Sequence, residues 1–258
     1  MDLECKICKN ESKLLFTAKV LKKYNVSYFQ CTNCDFVQTE TPFWLDEAYS
    51  SALGAEDTGV LKRNNYIANI ATFLISLYFN KNGVFLDYAG GYGIFTRLMR
   101  DKGFDFYWVD PYAENLVARG FEWDSIKKAD LVTSLEAFEH FEDPNKQIGE
   151  ILKISKNVLF TTQLFPKSVS KPNDWWYFSL DGGQHIAFHT YKSLSIIAKR
   201  NQLNFYSNGK SVHLFTEKKL NPFIFNLLIK VAGTKLNSVL QFNPESKTES
   251  DMKMILLK

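Results

Sequence analysis

Apolar positions recur along the chain with two different periods, which predicts a mixture of helices and strands. Across residues 45–79 they fall three and four positions apart, the spacing of one buried helical face, and Lys81-Asn82-Gly83 ends this helix. Short continuous apolar runs then predict buried strands at residues 84–87, 104–109, 130–134 and 157–162. Further helices are predicted at residues 94–100, 112–119, 145–153, 191–201 and 223–231, and a closing antiparallel strand pair at residues 205–206 and 212–216.

The four cysteines form two pairs, Cys5-x2-Cys8 and Cys31-x2-Cys34, with 22 residues between the pairs. Two residues between ligands let one tight turn direct both sulfurs at one ion. Two such turns complete a tetrahedral four-sulfur site of the kind that structural zinc prefers. The intervening segment is long enough for a β-hairpin, as in a zinc ribbon. An iron site with the same ligands and a set of free or disulfide-bonded cysteines are the alternatives, and the lack of other redox features favours zinc.

The order of these elements predicts the fold class. Strands that alternate with helices of this length are typical of an α/β fold, here a Rossmann-like, mostly parallel sheet with helices on both faces. We therefore expect four parts. They are a zinc-ribbon-like module at residues 1–45, a helical linker or cap at 46–80, the main α/β domain at 81–216, and a C-terminal tail at 217–258.

Composition narrows the function classes. The chain has 258 residues and a net charge of +3, and its lysines and arginines are scattered, so nucleic acid is not an expected partner. The longest apolar stretches are too short or too interrupted to span a bilayer, and the first residues lack the basic and apolar regions of a signal peptide. We therefore expect a cytoplasmic protein without a transmembrane segment.

A glycine-rich turn, LDYAGGYG at residues 86–93, follows the first strand of the main domain and opens a helix. Asp110 ends the next strand, where a carboxylate accepts the ribose hydroxyls of a nucleoside. Thr96 stands where a dinucleotide-binding turn has its third glycine, and Asp87 suits a cationic ligand better than a pyrophosphate. S-adenosylmethionine carries an ammonium and a sulfonium and no phosphate, so the chemistry favours this methyl donor over a dinucleotide.

These motifs resemble those of the class I S-adenosylmethionine-dependent methyltransferases, whose first motif is an acid-x-Gly-x-Gly-x-Gly run. Residues 87–93 match it with one departure, an alanine at the first glycine position. The resemblance implies that residues 81–216 bind the cofactor, with Asp110 on the ribose, and that residues 131–144 are the family's fourth strand and following turn. The other cofactor contacts that it implies are Asp87, Ala89, Gly90, Gly91 and Gly93 at the methionine part, Trp123 and Asp124 near the adenine, and Ser134 on the fourth strand.

Two histidines are candidate catalytic residues. His140 follows the fourth strand in a Glu-His pair, and His185 precedes the helix at residues 191–201. A general base is needed only where the nucleophile loses a proton, as a hydroxyl or a carbon acid does. Zinc-containing sugar C-methyltransferases have a similar cysteine module and a Glu-His pair before a helix. The pair Gln184-His185 is similar to it, with glutamine in place of the acid.

This resemblance implies a small polar acceptor, a sugar or a nucleotide-linked sugar or glycan unit, methylated at a hydroxyl or at a carbon. A catalytically inactive methyltransferase fold, which binds a partner through its cysteine module, is the alternative from another function class. RNA methylation is a third interpretation, and the balanced charge of residues 1–45 argues against it.

Overall fold

The computed structural model describes residues 3–49, 57–124, 128–234 and 244–257. The chain divides into two compact units, and each is assembled from segments that are distant in sequence. The first unit comprises Met1–Gly54, Glu136–Glu150 and Phe160–Phe215, and the second comprises Ala55–Leu135, Ile151–Leu159 and Thr216–Lys258. None of the described helices combines the length and the apolar character that crossing a membrane requires.

The first unit begins with an antiparallel sheet of order β1-β2-β3-β4-β9. Its strands are β1 (Leu3–Glu4), β2 (Glu11–Val20), β3 (Tyr24–Cys31), β4 (Val37–Thr39) and β9 (Ala187–Phe188). The long β2–β3 hairpin lies between the two cysteine pairs, which confirms the hairpin predicted there. Leu21 and Lys22 form its turn with φ angles of 53° and 57°, as in the primed turns whose twist suits a hairpin.

Aromatic side chains fill the core of the first unit. Tyr28 and Phe178 pack edge to face with ring centroids 5.5 Å apart, and Phe188 on β9 packs against both rings. Trp44 joins this core and donates its indole N–H to the carbonyl of Gly183 at 2.8 Å. In the aromatic run at residues 175–178, Trp176 alone is exposed, so the other three rings serve packing.

Three parallel strands form the centre of the second unit: β5 (Val84–Tyr88), β6 (Asp105–Val109) and β7 (Leu131–Leu135). β5 lies between the other two and pairs with both. Among the described residues, the strand order of this sheet is β10-β11-β8-β7-β5-β6. Its remaining members are β8 (Val158–Thr161), β10 (Asn204–Ser207) and β11 (Val212–Thr216).

The helices complete an α/β architecture. They are α1 (Leu45–Ala48), α2 (Val60–Tyr78), α3 (Ile94–Asp101), α4 (Pro144–Ile154), α5 (Tyr191–Arg200), α6 (Pro222–Ala232) and α7 (Thr248–Leu256). In the second unit, α3 packs against β5 and β6, and α2 packs against α3 and α6. The predicted α/β class, with a sheet that contains parallel strands, is therefore confirmed.

The helix predicted at residues 112–119 is wrong, because side chains there bond to the backbone in place of a helical ladder. The Asp110 carboxylate accepts the backbone N–H groups of Tyr112 and Ala113. The side-chain oxygen of Asn115 accepts the backbone N–H of Ala118 in the same way. Local bonds of this kind from aspartate and asparagine favour turns over helices.

The single helix predicted at residues 45–79 is also wrong, since α1 ends at Ala48 and α2 begins at Val60. Residues 50–56 between the two helices lie outside the described residues. The apolar periodicity that supported the prediction belongs to α2, which buries eight residues from Ile67 to Ile75.

A buried ion pair fastens the C-terminal tail within the second unit. Asp251 on α7 accepts two guanidinium N–H groups of Arg100, Nε at 2.7 Å and Nη2 at 2.8 Å. Arg100 also donates to Asp105 at 2.8 Å, and its guanidinium stacks 3.6 Å from the centroid of the Phe121 ring. Both Arg100 and Asp251 are only 4% exposed, and Asp251 also pairs with Arg97 at 2.9 Å, so these charges compensate one another as a network.

We expect Asp251→Asn to lower the free energy of unfolding by about 3 kcal/mol, because it removes a carboxylate partner from a buried guanidinium. Denaturant unfolding followed by circular dichroism measures the change. Asp181→Asn is the matched control, because Asp181 pairs with Lys22 on an exposed surface and its loss should cost less than about 0.5 kcal/mol. Equal effects of the two substitutions would contradict the proposed role of Asp251.

Candidate functional site

The turn between β5 and α3 is built from left-handed backbone conformations. Ala89, Gly91 and Gly93 have φ angles of 56°, 53° and 84°. A Cβ on Gly93 would lie 2.7 Å from Oδ1 of Asn115, so this position needs glycine for space as well as for conformation. Ala89 occupies the position at which the methyltransferase motif has its first glycine. Its left-handed backbone conformation costs about 1 kcal/mol of conformational free energy.

Side chains at the end of β6 form hydrogen bonds with both the N–H and the carbonyl of Gly91. Its N–H donates to Oδ2 of Asp110 at 2.9 Å, and its carbonyl accepts the indole N–H of Trp108 at 2.8 Å. A Cβ built on Gly91 would meet no atom within 4 Å. The turn therefore presents a fixed backbone with open space beside it, and a ligand approaches it without displacing a side chain.

Asp110 is occupied chiefly with the backbone. Besides Gly91, it accepts the N–H groups of Tyr112 at 2.7 Å and Ala113 at 3.0 Å. A carboxylate offers about four acceptor sites, so these three bonds leave room for a ligand hydroxyl. The predicted contact of Asp110 with a ribose stays a prediction, and the structure adds a second role, since this carboxylate also shapes the loop after β6.

Asp87 lies beneath the turn and is almost completely buried. Its carboxylate accepts the hydroxyl of Thr133 at 3.0 Å and that of Thr96 at 3.2 Å. A Cβ on Gly90 would lie 2.7 Å from Oδ2 of Asp87 and 2.7 Å from Cδ1 of Trp108, so only glycine lets the turn come this close. Burial raises the pKa of Asp87 to about 7, although the hydrogen bonds from the two threonines act to lower it.

The remaining predicted cofactor residues also belong to the second unit. Trp123 donates its backbone N–H to the carbonyl of Trp108 at 2.8 Å, which places it beside the end of β6. Its indole N–H and the hydroxyl of Ser134 on β7 are buried, and neither has a hydrogen-bond partner among the residues that the structure describes. Asp124 is exposed. The two buried polar groups lie near the carboxyl ends of parallel strands, the edge at which open α/β sheets bind ligands.

The four cysteine sulfurs converge in the first unit. All four Sγ atoms lie within 4.8 Å of one another, with Cys5 and Cys34 3.6 Å apart and Cys8 and Cys31 3.4 Å apart. Zinc with bonds of about 2.3 Å to four sulfurs would separate them by about 3.8 Å, so the cluster fits a tetrahedral site. None of the four forms a disulfide. The hydrogen bond between the two thiols lowers the pKa of Cys5 to about 5 and raises that of Cys34.

The two predicted catalytic histidines are neighbours in the first unit, although they are 45 positions apart in sequence. The rings of His140 and His185 pack edge to face with centroids 4.9 Å apart. Nδ1 of His185 bonds to the carbonyl of Tyr177 at 2.6 Å, and the Tyr177 hydroxyl donates to Oε1 of Glu139 at 2.5 Å. The Tyr49 hydroxyl lies 3.2 Å from Nδ1 of His140.

Burial sets the protonation states in this cluster. It lowers the pKa of His185 and holds that of His140 well below its usual value, so both imidazoles are neutral. Burial, with the neighbouring Glu139 carboxylate, raises the pKa of Tyr177 well above its usual value. Both histidines keep partial exposure, whereas Glu139 is fully buried. The cluster therefore offers two neutral imidazoles beside one carboxyl group.

The structure gathers the predicted cofactor residues in the second unit, and the cysteines and candidate catalytic histidines in the first. Sequence reasoning missed the residues that support them, namely Trp108, Thr133 and Tyr177. Thr133 is the partner of Asp87 in the β5–β7 register, and a polar residue within an apolar strand was the available signal. Gln184, read as a replacement for an acid, donates its amide to the carbonyl of Ala48 at 2.8 Å.

Comparison with known proteins gives one informative match. The sequence profile of a family described as "Methyltransferase domain" matches residues 62–208, more than half of the chain. No curated protein matches the sequence.

Several solved structures are similar to the chain at low identity. Magnesium protoporphyrin IX methyltransferase from Synechocystis PCC 6803 with bound SAH has a TM-score of 0.45 and 14% identity over 67% of this chain and 93% of that one. An O-methyltransferase family protein from Burkholderia thailandensis has a TM-score of 0.43 and 14% identity, over 69% and 68%. TnmH has a TM-score of 0.45 and 17% identity, over 69% and 62%. These scores are too low to support an argument about chemistry, so the family assignment rests on the sequence profile.

The raised pKa of Asp87 predicts how stability depends on pH. The native acid binds its proton more tightly than the unfolded one, so its stabilising contribution is complete below about pH 4 and is lost as pH rises towards 7. We therefore expect the stability difference between the wild type and Asp87→Asn to fall across this window, by up to roughly 1.4 kcal/mol per pH unit.

Denaturant unfolding at several pH values measures this difference, with Asp101→Asn, an exposed acid at the end of α3, as the control. The control should follow the wild-type profile. Parallel profiles for the wild type and Asp87→Asn would mean that Asp87 is ionised in the native protein throughout the window.

Proposed function

Because the chain belongs to the methyltransferase-domain family, we propose that it transfers a methyl group from S-adenosylmethionine to a small polar acceptor. The observation that carries the proposal is the Gly91 residue, held by Asp110 and Trp108 beside open space. We propose residues 81–216 as the methyltransferase domain, preceded by the zinc module at 1–45 and the linker at 46–80. The tail at 217–258 follows it.

The residues of the turn fit a cationic nucleoside. Asp87 and Asp110 place two acids next to the turn, and residues 86–93 contain no lysine or arginine that would bind a pyrophosphate. The buried indole N–H of Trp123 and the hydroxyl of Ser134 offer donors for the nucleoside. When bound, S-adenosylmethionine supplies a methyl group on a positively charged sulfur, and the protein contributes mainly position.

We propose Asp87, Ala89, Gly90, Gly91 and Gly93 for the methionine part, Asp110 for the ribose, and Trp123 with Asp124 for the adenine. Asp87 is buried under the turn, so it would act through the threonine hydroxyls that it orders rather than by direct contact. The backbone of Gly91 is the direct contact that the geometry supports best.

We propose that His140 and His185 handle the acceptor, a sugar or a nucleotide-linked sugar or glycan methylated at a hydroxyl or a carbon. The two rings are adjacent, neutral and partly exposed, as groups that meet a polar substrate must be. The hydroxyl of Tyr49 and the amide of Gln184 add further polar groups in the same unit.

We further propose that the four cysteines bind one structural zinc ion. Four protein ligands close the coordination sphere, so this ion would stabilise the β2–β3 hairpin rather than activate a water molecule. The segment after each cysteine pair is tied down by backbone bonds, such as Cys5 N–H to the carbonyl of Asn10 at 2.8 Å.

Calorimetry with S-adenosylhomocysteine tests cofactor binding. We expect the wild type to bind, and Asp110→Asn to bind about ten times more weakly, because a charged acceptor beside the cofactor is lost. Asp101→Asn is the control and should bind like the wild type. Absence of heat from the wild type would support the alternative function, a catalytically inactive scaffold.

Methyl transfer from labelled donor to a panel of nucleotide-linked sugars tests the acceptor class. We expect His185→Ala and His140→Ala each to reduce transfer at least tenfold without changing the binding of S-adenosylhomocysteine. Equal transfer by these variants and the wild type would remove the histidines from the proposal and leave the cofactor site standing.

Elemental analysis tests the cysteine site. We expect Cys31→Ser to lose one equivalent of zinc per chain and to lower the unfolding temperature, because three ligands hold the ion less tightly than four. Thr32→Ser, a change between two of the cysteines that keeps the hydroxyl bonded to the carbonyl of Glu11, should retain the ion. An unchanged zinc content in Cys31→Ser would contradict the assignment.

A further inference from the structure

We propose that Glu139, His140 and His185 bind a second divalent transition-metal ion, distinct from the ion of the four cysteines. Each of the three residues offers one ligand atom, and these atoms lie within 4.8 Å of one another. Ligands at about 2.0–2.2 Å from one ion are separated by roughly 3.4 Å, so small side-chain rotations close the site.

Local structure explains why the three side chains meet. Glu139 and His140 are consecutive in a short 3-10 turn, Phe138–His140, which presents a carboxylate and an imidazole together. The backbone N–H of Ile186 donates to the carbonyl of Glu139 at 2.9 Å, which holds the segment carrying His185 against that turn. Ile186 is in turn held by β4, through the N–H of Thr39 at 3.1 Å.

Tyr177 orients two of the three ligands. Its carbonyl accepts Nδ1–H of His185 at 2.6 Å, which selects the tautomer whose Nε2 lone pair is left for a metal. Its hydroxyl donates to Oε1 of Glu139 at 2.5 Å. Such outer hydrogen bonds to a histidine and a carboxylate are typical of metal sites, because they fix the rings and raise the basicity of the ligands.

The donor set selects the kind of ion. Two imidazoles and one carboxylate suit zinc, iron(II) or manganese(II), whereas calcium and magnesium prefer ligand sets made only of oxygen. Three protein ligands leave at least one coordination position for water or another oxygen donor, unlike the closed site of the cysteines. Both histidines are partly exposed, whereas Glu139 is buried.

The open position also refines the acceptor, a step that rests on the proposed methyl transfer. A hydroxyl oxygen is a suitable ligand for such an ion, and a carbon nucleophile is not. The site therefore favours a hydroxyl acceptor, held and polarised by the ion. In this arrangement His140 and His185 contribute as metal ligands rather than as free bases.

Zinc content of the resting, full-length protein tests the site without donor or acceptor. After loading with zinc and removal of loosely bound ion, we expect two equivalents per chain in the wild type and one in His185→Ala and Glu139→Gln. His189→Phe is the matched control, because His189 lies outside the cluster, packed between the rings of Phe36 and Phe138. It should keep two equivalents.

Cobalt spectra give a second measurement that does not depend on the stability of any variant. In the wild type, the first equivalent should produce the charge-transfer band of a thiolate site, and the second should add weak bands of a nitrogen and oxygen site without increasing it. A wild type that binds only one equivalent, or equal metal content in His185→Ala and His189→Phe, would overturn the proposal. Failure of methyl transfer would instead appear as absence of cofactor binding, with the metal content unchanged.

Discussion

The proposed cofactor site in the second unit depends on the two hydrogen bonds that hold Gly91. Its N–H is held by Asp110 and its carbonyl by Trp108, so a turn that contains several left-handed residues has one conformation rather than many. The glycines that make close backbone approach feasible would otherwise leave the turn flexible, because glycine loses more conformational entropy on ordering than any other residue. The hydrogen bonds from the side chains at the end of β6 restrict the conformation of the turn, which the glycines alone would leave flexible.

Each unit has a polar cluster that contains a buried carboxyl group, Asp87 in the second unit and Glu139 in the first. Asp87 is satisfied by two threonine hydroxyls, and its raised pKa shows that these bonds do not fully replace solvation. Glu139 lies buried in the first unit next to Tyr177 and two neutral imidazoles. This carboxylate and the two imidazoles, whose ligand atoms lie within 4.8 Å of one another, form the donor set of the proposed second metal site.

Local sequence patterns correctly predicted several of the strands and helices. Strands β5, β6 and β7 and helices α3 and α5 lie within one or two residues of their predicted positions, because buried runs and helical periodicity are properties of the segments themselves. The helix predicted after Asp110 failed because its first residues bond to the Asp110 carboxylate instead. Helical periodicity gives no information about that competition.

The sequence by itself determined the α/β class, the two cysteine pairs around a hairpin, and the acid-bearing glycine turn, since each is encoded within a continuous stretch of chain. Only the tertiary structure decided that His140 and His185 are neighbours, that Tyr177 orients His185 and Glu139, and that α7 is fastened by Arg100. Apart from the bond between Tyr177 and His185, which spans 8 positions, these contacts join residues 38 to 151 positions apart. They form because burial must pair polar groups that lie far apart in the chain, and no local pattern specifies which groups will meet.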